Sequence, residues 1–427
     1  MTVRSLGDWL AYLEQLHPSA IDMGLERVRL VAGRLGLSRP AERVVTVTGT
    51  NGKGSTCAFI AELARTQGLR VGVYSSPHLQ RYNERVAVDG RMVSDEALCE
   101  AFAAVEEARG DTSLTYFEMG TLAALWLFQA EALDVAVLEV GLGGRLDAVN
   151  LIDADISIIT NIGLDHAEWL GNSRDSVARE KAGILRQGAY GLCGDLDPPQ
   201  PLLHHAASIG SPLLVRGRDF GFEVDGEGWS WAGRDARGAA LRLEALPLLD
   251  LPLENAALAL QCFLLLGLPW ETGQVAQALS RTRVTGRLDH RVVHRRAQRL
   301  NLLMDVAHNP HAADYLATRL TGTRASGRRL AVFGLLADKD LDGVLQPLLP
   351  LVDEWAVATL ASPRARAGEA LADALGRQGA KVKVFESVTH ALDACTENAG
   401  LEDEILVFGS FYAVAECLDW LERISGE

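Results

Sequence analysis

The chain has 427 residues, 48% of them hydrophobic, with 41 Lys and Arg against 56 Asp and Glu and a formal net charge of −15. That apolar content excludes a disordered or collagen-like chain, and the acidity argues against a nucleic-acid partner, whose phosphates it would repel. At about 150 residues per domain the length predicts two or three domains, each able to bury a core of its own.

The opening segment has a helical pattern (Leu6, Trp9, Leu10, Leu13, Leu16) carrying Asp8 and Glu14, which interrupt the apolar stretch a signal peptide needs. The six cysteines, Cys57, Cys99, Cys193, Cys262, Cys395 and Cys417, form no Cys-x-x-Cys pair and no disulfide framework. A reducing cytoplasm is the expected location. A second helix is predicted around 25–37, followed by the β-branched run Arg43-Val-Val-Thr-Val-Thr, which reads as a buried strand. The glycine-rich segment from Gly49 to Thr56 comes next, then a helix to Gln67 and a strand over 71–74, a βαβ unit with its glycines at the strand-to-helix turn. A helix over 120–132 and strands over 133–140 and 155–160 extend the set. Residues 195–236 show hairpin-like turns and no evident catalytic group. The most apolar stretch, 256–270, is interrupted by Gln261 and falls short of the ~20 residues that span a bilayer. It is predicted as a buried helix, with no membrane partner.

From residue 300 the rhythm is regular, with strands over 300–306, 329–335, 355–360, 381–385 and 404–408. They alternate with helices from Pro310 and over 341–351, 368–378, 389–399 and 414–424. Such alternation predicts a doubly wound parallel sheet. The expected fold is therefore α/β: an N-terminal P-loop ATPase domain over 1–290 and a smaller Rossmann-like domain over 297–427, with the basic segment 285–298 as hinge.

The chemistry begins at Gly49-Thr50-Asn51-Gly52-Lys53-Gly54-Ser55, where backbone N–H groups can close around phosphate, Lys53 supplies a positive charge and a hydroxyl can hold Mg2+. The segment departs from G-x-x-x-x-G-K-[ST]: Val47 stands at the first glycine position, and Gly54 separates Lys53 from Ser55. Glu139, Asp165, His166 and Lys181 follow later in the same predicted domain. Each has a plain explanation as a strand-end acid, a loop residue or a solvated helix position. Together they converge on the phosphate loop, because the carboxyl ends of strands in an open α/β sheet do so, and oxygen and imidazole groups there suit Mg2+.

GTNGKGS, YSSPHL, TYFE, LEVGLGGRLDA, LDHAEWLG, REKAGI and DVAHNPHA, in this order, resemble the Mur ligase superfamily, and within it the bacterial bifunctional dihydrofolate synthase/folylpolyglutamate synthases. The resemblance implies an ATP-dependent ligase that adds L-glutamate to dihydropteroate and to tetrahydrofolate and its polyglutamates, through an acyl phosphate. It implies that Gly52, Lys53, Gly54 and Ser55 hold ATP phosphates, that Ser55, Ser76, Glu139 and His166 are ligands of Mg2+, expected as two ions, and that Lys181 is carbamylated and faces the second. Asn255 corresponds to an adenine-side contact, Arg287 to a phosphate contact, and Asp305 and His308 to ATP contacts, with His308 a candidate base. Asp22 to Gly24, Thr115, Tyr116, Phe117, Glu118, Leu146, Asp147 and Ala148 correspond to the pterin site. Asn255 and Asp305 could instead be capping residues, and Phe117 core packing.

Two alternatives remain at this stage: folylpolyglutamate synthesis alone, or a P-loop kinase or ATPase, which would leave Lys181 and the second α/β domain without a role. A peptidoglycan-type ligase is disfavoured because 48 residues precede Gly49, too few for a nucleotide-sugar domain beside two helices. A monomer is expected.

Overall fold

In the computed structural model, which describes residues 4–425 apart from 227, 269–270, 296–297 and 323–326, the β-branched run ahead of the glycines forms β1 (Ala41–Thr48), buried from Val44 onward. The chain divides into two units, Met1–Thr282 and Arg283–Glu427. In the first, β2 (Val71–Tyr74), β3 (Val86–Val88), β4 (Arg91–Met92), β5 (Leu133–Glu139), β6 (Ile156–Ile159), β7 (Tyr190–Cys193) and β8 (Leu213–Val215) join β1. Among the described residues they form one sheet in the order β4-β3-β2-β5-β1-β6-β7-β8, parallel except for the β3 and β4 edge. Because β1 lies between β5 and β6, the chain leaves it at a point where strand order reverses, the place where open α/β sheets bind ligands.

Helix Tyr116–Ala130 begins earlier than the apolar pattern suggests, and the reason is local. Thr115 is its N-cap and Glu118 closes a capping box: the Glu118 N–H donates to Thr115 Oγ1 at 3.2 Å, and the Thr115 N–H donates to Glu118 Oε2 at 2.7 Å. The expected helix over 256–270 runs Leu253–Leu265, and residues 269–270 lie outside the described set.

The hairpin-like segment forms a second, antiparallel sheet of β9 (Gly221–Asp225), β10 (Gly228–Arg234) and β11 (Ala240–Pro247). It buries Trp229 and Trp231, and the Trp231 indole N–H donates to the Ala257 carbonyl at 3.2 Å. Gln261, the polar interruption of the apolar stretch, donates to the Arg234 carbonyl at 2.7 Å. This sheet therefore braces the helix that carries Asn255. No described helix is long and apolar enough to cross a membrane.

In the second unit, β12 (Asp289–Arg295), β13 (Gln298–Asp305), β14 (Arg329–Phe333), β15 (Glu354–Ala358), β16 (Val382–Phe385) and β17 (Glu404–Phe408) are ordered β12-β13-β17-β14-β15-β16 among the described residues. All pairings are parallel except β12 with β13. Within the expected hinge, Asp289 to Arg295 form an edge strand paired with β13, with residues 296–297 outside the described set. Its exposure alternates residue by residue, and its basic side chains suit an edge that must not pair with another chain. The expected helix over 341–351 is also shorter, Leu341–Leu345 followed by a single turn Leu349–Leu351, because Pro347 and Pro350 cannot continue it.

Candidate active site

The loop leaving β1 can be built only from glycine at two positions. A Cβ on Gly52, which has φ +85°, would lie 2.5 Å from Asn255 Oδ1, and one on Gly49 would collide with Thr160 Oγ1. Gly52 is the N-cap of helix Lys53–Thr66 and offers no side chain to its first turn, so those N–H groups keep their capacity for an anion. The loop is held from β6 outward. The Thr50 N–H donates to the Asn161 carbonyl at 3.1 Å, the Asn51 N–H to Asn161 Oδ1 at 2.9 Å, and the Gly163 N–H to Thr50 Oγ1 at 2.9 Å. Lys53 Nζ donates to the Gly49 carbonyl at 3.0 Å, so the cation lies across its own loop. These glycine cradles fit a nucleotide phosphate.

Asn255 does not cap its helix; it lies within Leu253–Leu265, and its Nδ2 donates to Ser55 Oγ at 2.7 Å. The helix thus reaches the loop through one amide that touches both Gly52 and Ser55.

Parallel register brings the acidic end of the site to the same edge. Val47 pairs with Glu139 across β1 and β5, and Tyr74 with Leu138 across β2 and β5. Ser76, just past β2, donates its N–H to Glu139 Oε2 at 3.2 Å, and a Cβ on Gly54 would lie 3.9 Å from the same oxygen. Glu139 is 4% exposed. Lys181, on helix Arg174–Ala182, is 3% exposed; burial and the nearby Lys53 charge push its amine down to about 7, against the pull of Asp165 and Asp147. The Glu139 carboxylate beside Gly54 is an oxygen donor of the kind Mg2+ takes, while among the described residues no three His, Cys, Asp or Glu side chains gather into a metal-binding group. His166 has φ +52°, and its half-exposed ring stands 3.9 Å from the Asp165 carboxylate.

The segments expected to meet a pterin form a neighbouring wall, with Phe117 against Gly141 and Tyr74. Thr115 and Glu118 spend their side chains on the capping box, which leaves Tyr116 and Phe117 as the half-buried faces of the turn. A Cβ on Gly141 would lie 2.6 Å from the Phe117 ring, so only glycine admits that ring. Phe117 is also 6.0 Å from Tyr74 between centroids. Asp147, the middle residue of Leu146-Asp147-Ala148, accepts from the N–H groups of Leu142 at 2.9 Å and Val149 at 3.0 Å; burial raises its carboxyl to about 6. Asp22 is tied to Glu118 by Arg27, which donates to Asp22 Oδ2 at 2.6 Å and to Glu118 Oε1 at 2.9 Å. Arg27 went unnoticed in the sequence because nothing in ERVRL separates it from a solvated helix face.

In the second unit the cluster forms where β13 and β17 end. Asp305 takes the N–H groups of Leu288 and Ala307, each at 2.8 Å, and burial raises its carboxyl against the lowering influence of Arg287. It therefore caps its own turn. His308 Nδ1 lies 2.9 Å from the Val306 carbonyl, and its ring is 5.9 Å from Phe411. The Arg287 guanidinium lies 5.2 Å above the same ring. Phe411 is a further residue missed by the sequence reading; its aromatic position directly after Phe408-Gly-Ser was the available signal.

Residues 47–191 match the Mur ligase middle domain and residues 286–411 the Mur ligase glutamate ligase domain. The chain is 46% identical over 422 residues to the dihydrofolate synthase/folylpolyglutamate synthase of Escherichia coli, spanning 99% of this chain and 97% of that protein. A solved Escherichia coli FolC in complex with DHPP and ADP superimposes with a TM-score of 0.92 at 45% identity, covering 98% of both chains. The Yersinia pestis bifunctional folylpolyglutamate synthase/dihydrofolate synthase complexed with AMPPNP and Mn ion gives 0.90 at 44% identity, again covering 98% of both. The fold is thus a nucleotide-binding α/β domain followed by a Rossmann-like one, and with identity at this level over nearly its whole length the chain belongs to the dihydrofolate synthase/folylpolyglutamate synthase family of the Mur ligases.

Proposed function

We propose that this protein is an ATP-dependent amide-forming ligase that joins L-glutamate to dihydropteroate, giving dihydrofolate, and to tetrahydrofolate and its polyglutamates. The observation that carries this reading is the phosphate loop, with Gly49 and Gly52 in positions no other residue fits and Glu139 beside Gly54. Membership of the family supports the choice of substrates.

A carboxylate is a poor acyl donor. Its oxygen attacks the γ-phosphorus of ATP, ADP departs, and an acyl phosphate remains. The glutamate nitrogen then attacks the acyl carbon; the C–N bond forms, the C–O bond to phosphate breaks, and the ammonium proton passes to a base, for which His308 is the candidate. The protein's part is positioning and offsetting charge. The loop amides from Gly52 to Ser55 and Lys53 hold the phosphates; Asn255 serves the adenine side and struts the loop through Ser55. Within the second unit, Arg287, Asp305 and His308 are the candidate nucleotide contacts, Asp305 by shaping its turn. Ser55, Ser76, Glu139, His166 and carbamylated Lys181 would hold the Mg2+ ions, two in number, which neutralise phosphate charge when bound. Carbamylation needs a neutral amine, and burial of Lys181 supplies one. Tyr116, Phe117 and the Asp147 loop orient the pterin. The protein works as a cytoplasmic monomer.

The test is ADP release and product mass from purified protein given ATP, L-glutamate and either dihydropteroate or tetrahydrofolate. Release that requires both glutamate and a pteridine acceptor, with a product heavier by one glutamyl unit, is expected. Release independent of glutamate would make the protein an ATPase, and product from tetrahydrofolate alone would restrict it to polyglutamylation.

A further inference from the structure

Arg85 ends the single turn Tyr82–Arg85 just ahead of β3 and is only 9% exposed, yet it has no ion pair with a carboxylate among the described residues. The adjacent acid does not serve it. Glu84 accepts instead from the N–H groups of Leu79 at 2.7 Å, Gln80 at 2.8 Å and Arg81 at 2.7 Å. A buried guanidinium without a counter-ion is costly, and a fold retains one where something else supplies the anion.

The guanidinium is also oriented. Its Nε donates to His78 Nδ1 at 2.8 Å, and its plane lies 5.3 Å from the Tyr82 ring and 5.6 Å from the Tyr116 ring, two rings that meet edge to face. Nε is spent on His78 and the Tyr74 hydroxyl also interacts with the guanidinium, which leaves the remaining N–H groups of the fork for a planar acceptor. Beside it the Tyr82 hydroxyl is buried with no hydrogen-bond partner among the described residues, a donor without an acceptor. The cluster is thus rich in donors and short of acceptors. Its backbone is tied to the metal-side segment, since the Ser75 N–H donates to the Arg85 carbonyl at 2.9 Å, while Tyr116 belongs to the pterin wall.

We infer that Arg85, flanked by Tyr82 and Tyr116, is a carboxylate subsite that holds the unreacting α-carboxylate of a folate's terminal glutamate. This rests on the proposed ligase reading and adds to it a residue that separates the two acceptors. Dihydropteroate carries a single carboxylate, the one that is phosphorylated. A folate presents its γ-carboxylate for reaction and brings a second anion that must be neutralised between the pterin wall and the phosphoryl site.

The experiment compares KM and kcat for tetrahydrofolate and dihydropteroate in the wild-type protein and in Arg85→Met and Arg85→Lys. Losing a bidentate charge-assisted pair is expected to raise the KM ratio of tetrahydrofolate to dihydropteroate about tenfold or more in Arg85→Met, with kcat for tetrahydrofolate little changed. Arg85→Lys, which keeps the charge but not the fork, gives a smaller rise in the same ratio and is the variant read if the methionine protein does not fold. A ratio unchanged in the folded variants, with both KM values moving together or neither moving, overturns the inference and leaves the ligase reading intact. Wild-type protein that turns over neither acceptor overturns both.

Discussion

The phosphate-loop cluster of the first unit and the Asp305 turn of the second both stand beyond the carboxyl ends of parallel strands, but they use their charged groups in opposite ways. Asp305 gives both carboxylate oxygens to backbone N–H groups of its own turn. The first cluster keeps a carboxylate, Glu139, and an amine, Lys181, buried at 4% and 3% exposure at the edge where phosphate would bind. One set shapes a loop; on the proposed reading, the other meets a ligand. Substitutions should therefore divide, with the first cluster losing turnover at little cost in stability and the second losing stability together with turnover.

Glu139→Ala tests that division most severely. Removing the anion that faces the phosphate loop should lower glutamate-dependent ADP release by about 10³-fold or more, while the unfolding midpoint stays within a few degrees of wild type. Near-normal turnover in this variant would remove Glu139 from the metal site.

Lys181→Met should cost about 10²- to 10³-fold in turnover for the same electrostatic reason. The native amine offers a sharper test through pH. Uptake of CO2 converts the neutral amine to a carbamate and releases a proton, so reloading of protein stripped of CO2 should rise through a midpoint near 7, the value to which burial lowers this lysine, and not near its ordinary 10.5. Stability carries the matching sign. In CO2-free buffer between about 7 and 10.5 the unfolded chain binds a proton at Lys181 that the folded chain has lost, so the unfolding free energy rises with pH across that window. Lys181→Met lacks that rise. A reloading rate flat from pH 6 to 8, with no gain in mass corresponding to CO2, would exclude the carbamate.

Much of the first cluster was legible in the sequence because its chemistry depends on residue identity. Gly52 must be glycine for its φ of +85°, and Lys53 and Glu139 sit where a strand-to-helix turn and a strand end were already readable. Clamps that pair a backbone group with a distant partner were not legible: Asn161 and Gly163 hold the loop from β6, and nothing in NIGLDH singles them out for that. TYFE shows both sides of the matter. It was read as a ligand-binding motif, yet Thr115 and Glu118 form a capping box, and only the two aromatic residues between them remain to face a ligand. The basic run 289–295 looked like a linker because charge hides apolar alternation when the strand is an edge.

Gly52→Ala tests whether the loop's conformation matters beyond its charge. A left-handed φ costs an alanine roughly 1–2 kcal/mol. The added methyl carbon, 2.5 Å from Asn255 Oδ1, would also push Asn255 off Ser55. Nucleotide affinity measured by calorimetry should fall about tenfold or more. Unchanged affinity would mean that the loop tolerates another path.

Asp305→Ala is the counterpart in the second unit. It strands the N–H groups of Leu288 and Ala307, so urea unfolding should show a loss of about 1–3 kcal/mol, with turnover falling in the same variant. Loss of turnover at unchanged stability would instead make Asp305 a direct ligand contact and would erase the contrast between the two clusters.

The smallest effect belongs to Phe411→Leu. The ring lies under Arg287 at 5.2 Å and beside His308 at 5.9 Å, so it orients two groups without touching either through a hydrogen bond. A cation over an aromatic face contributes about 0.5–1 kcal/mol at such a site, and leucine preserves most of the volume. Turnover should fall about two- to fivefold, in line with that energy, with stability nearly unchanged. A hundredfold loss would mean that Phe411 itself faces the nucleotide, and the second unit would then hold, like the first, a surface reserved for its ligand.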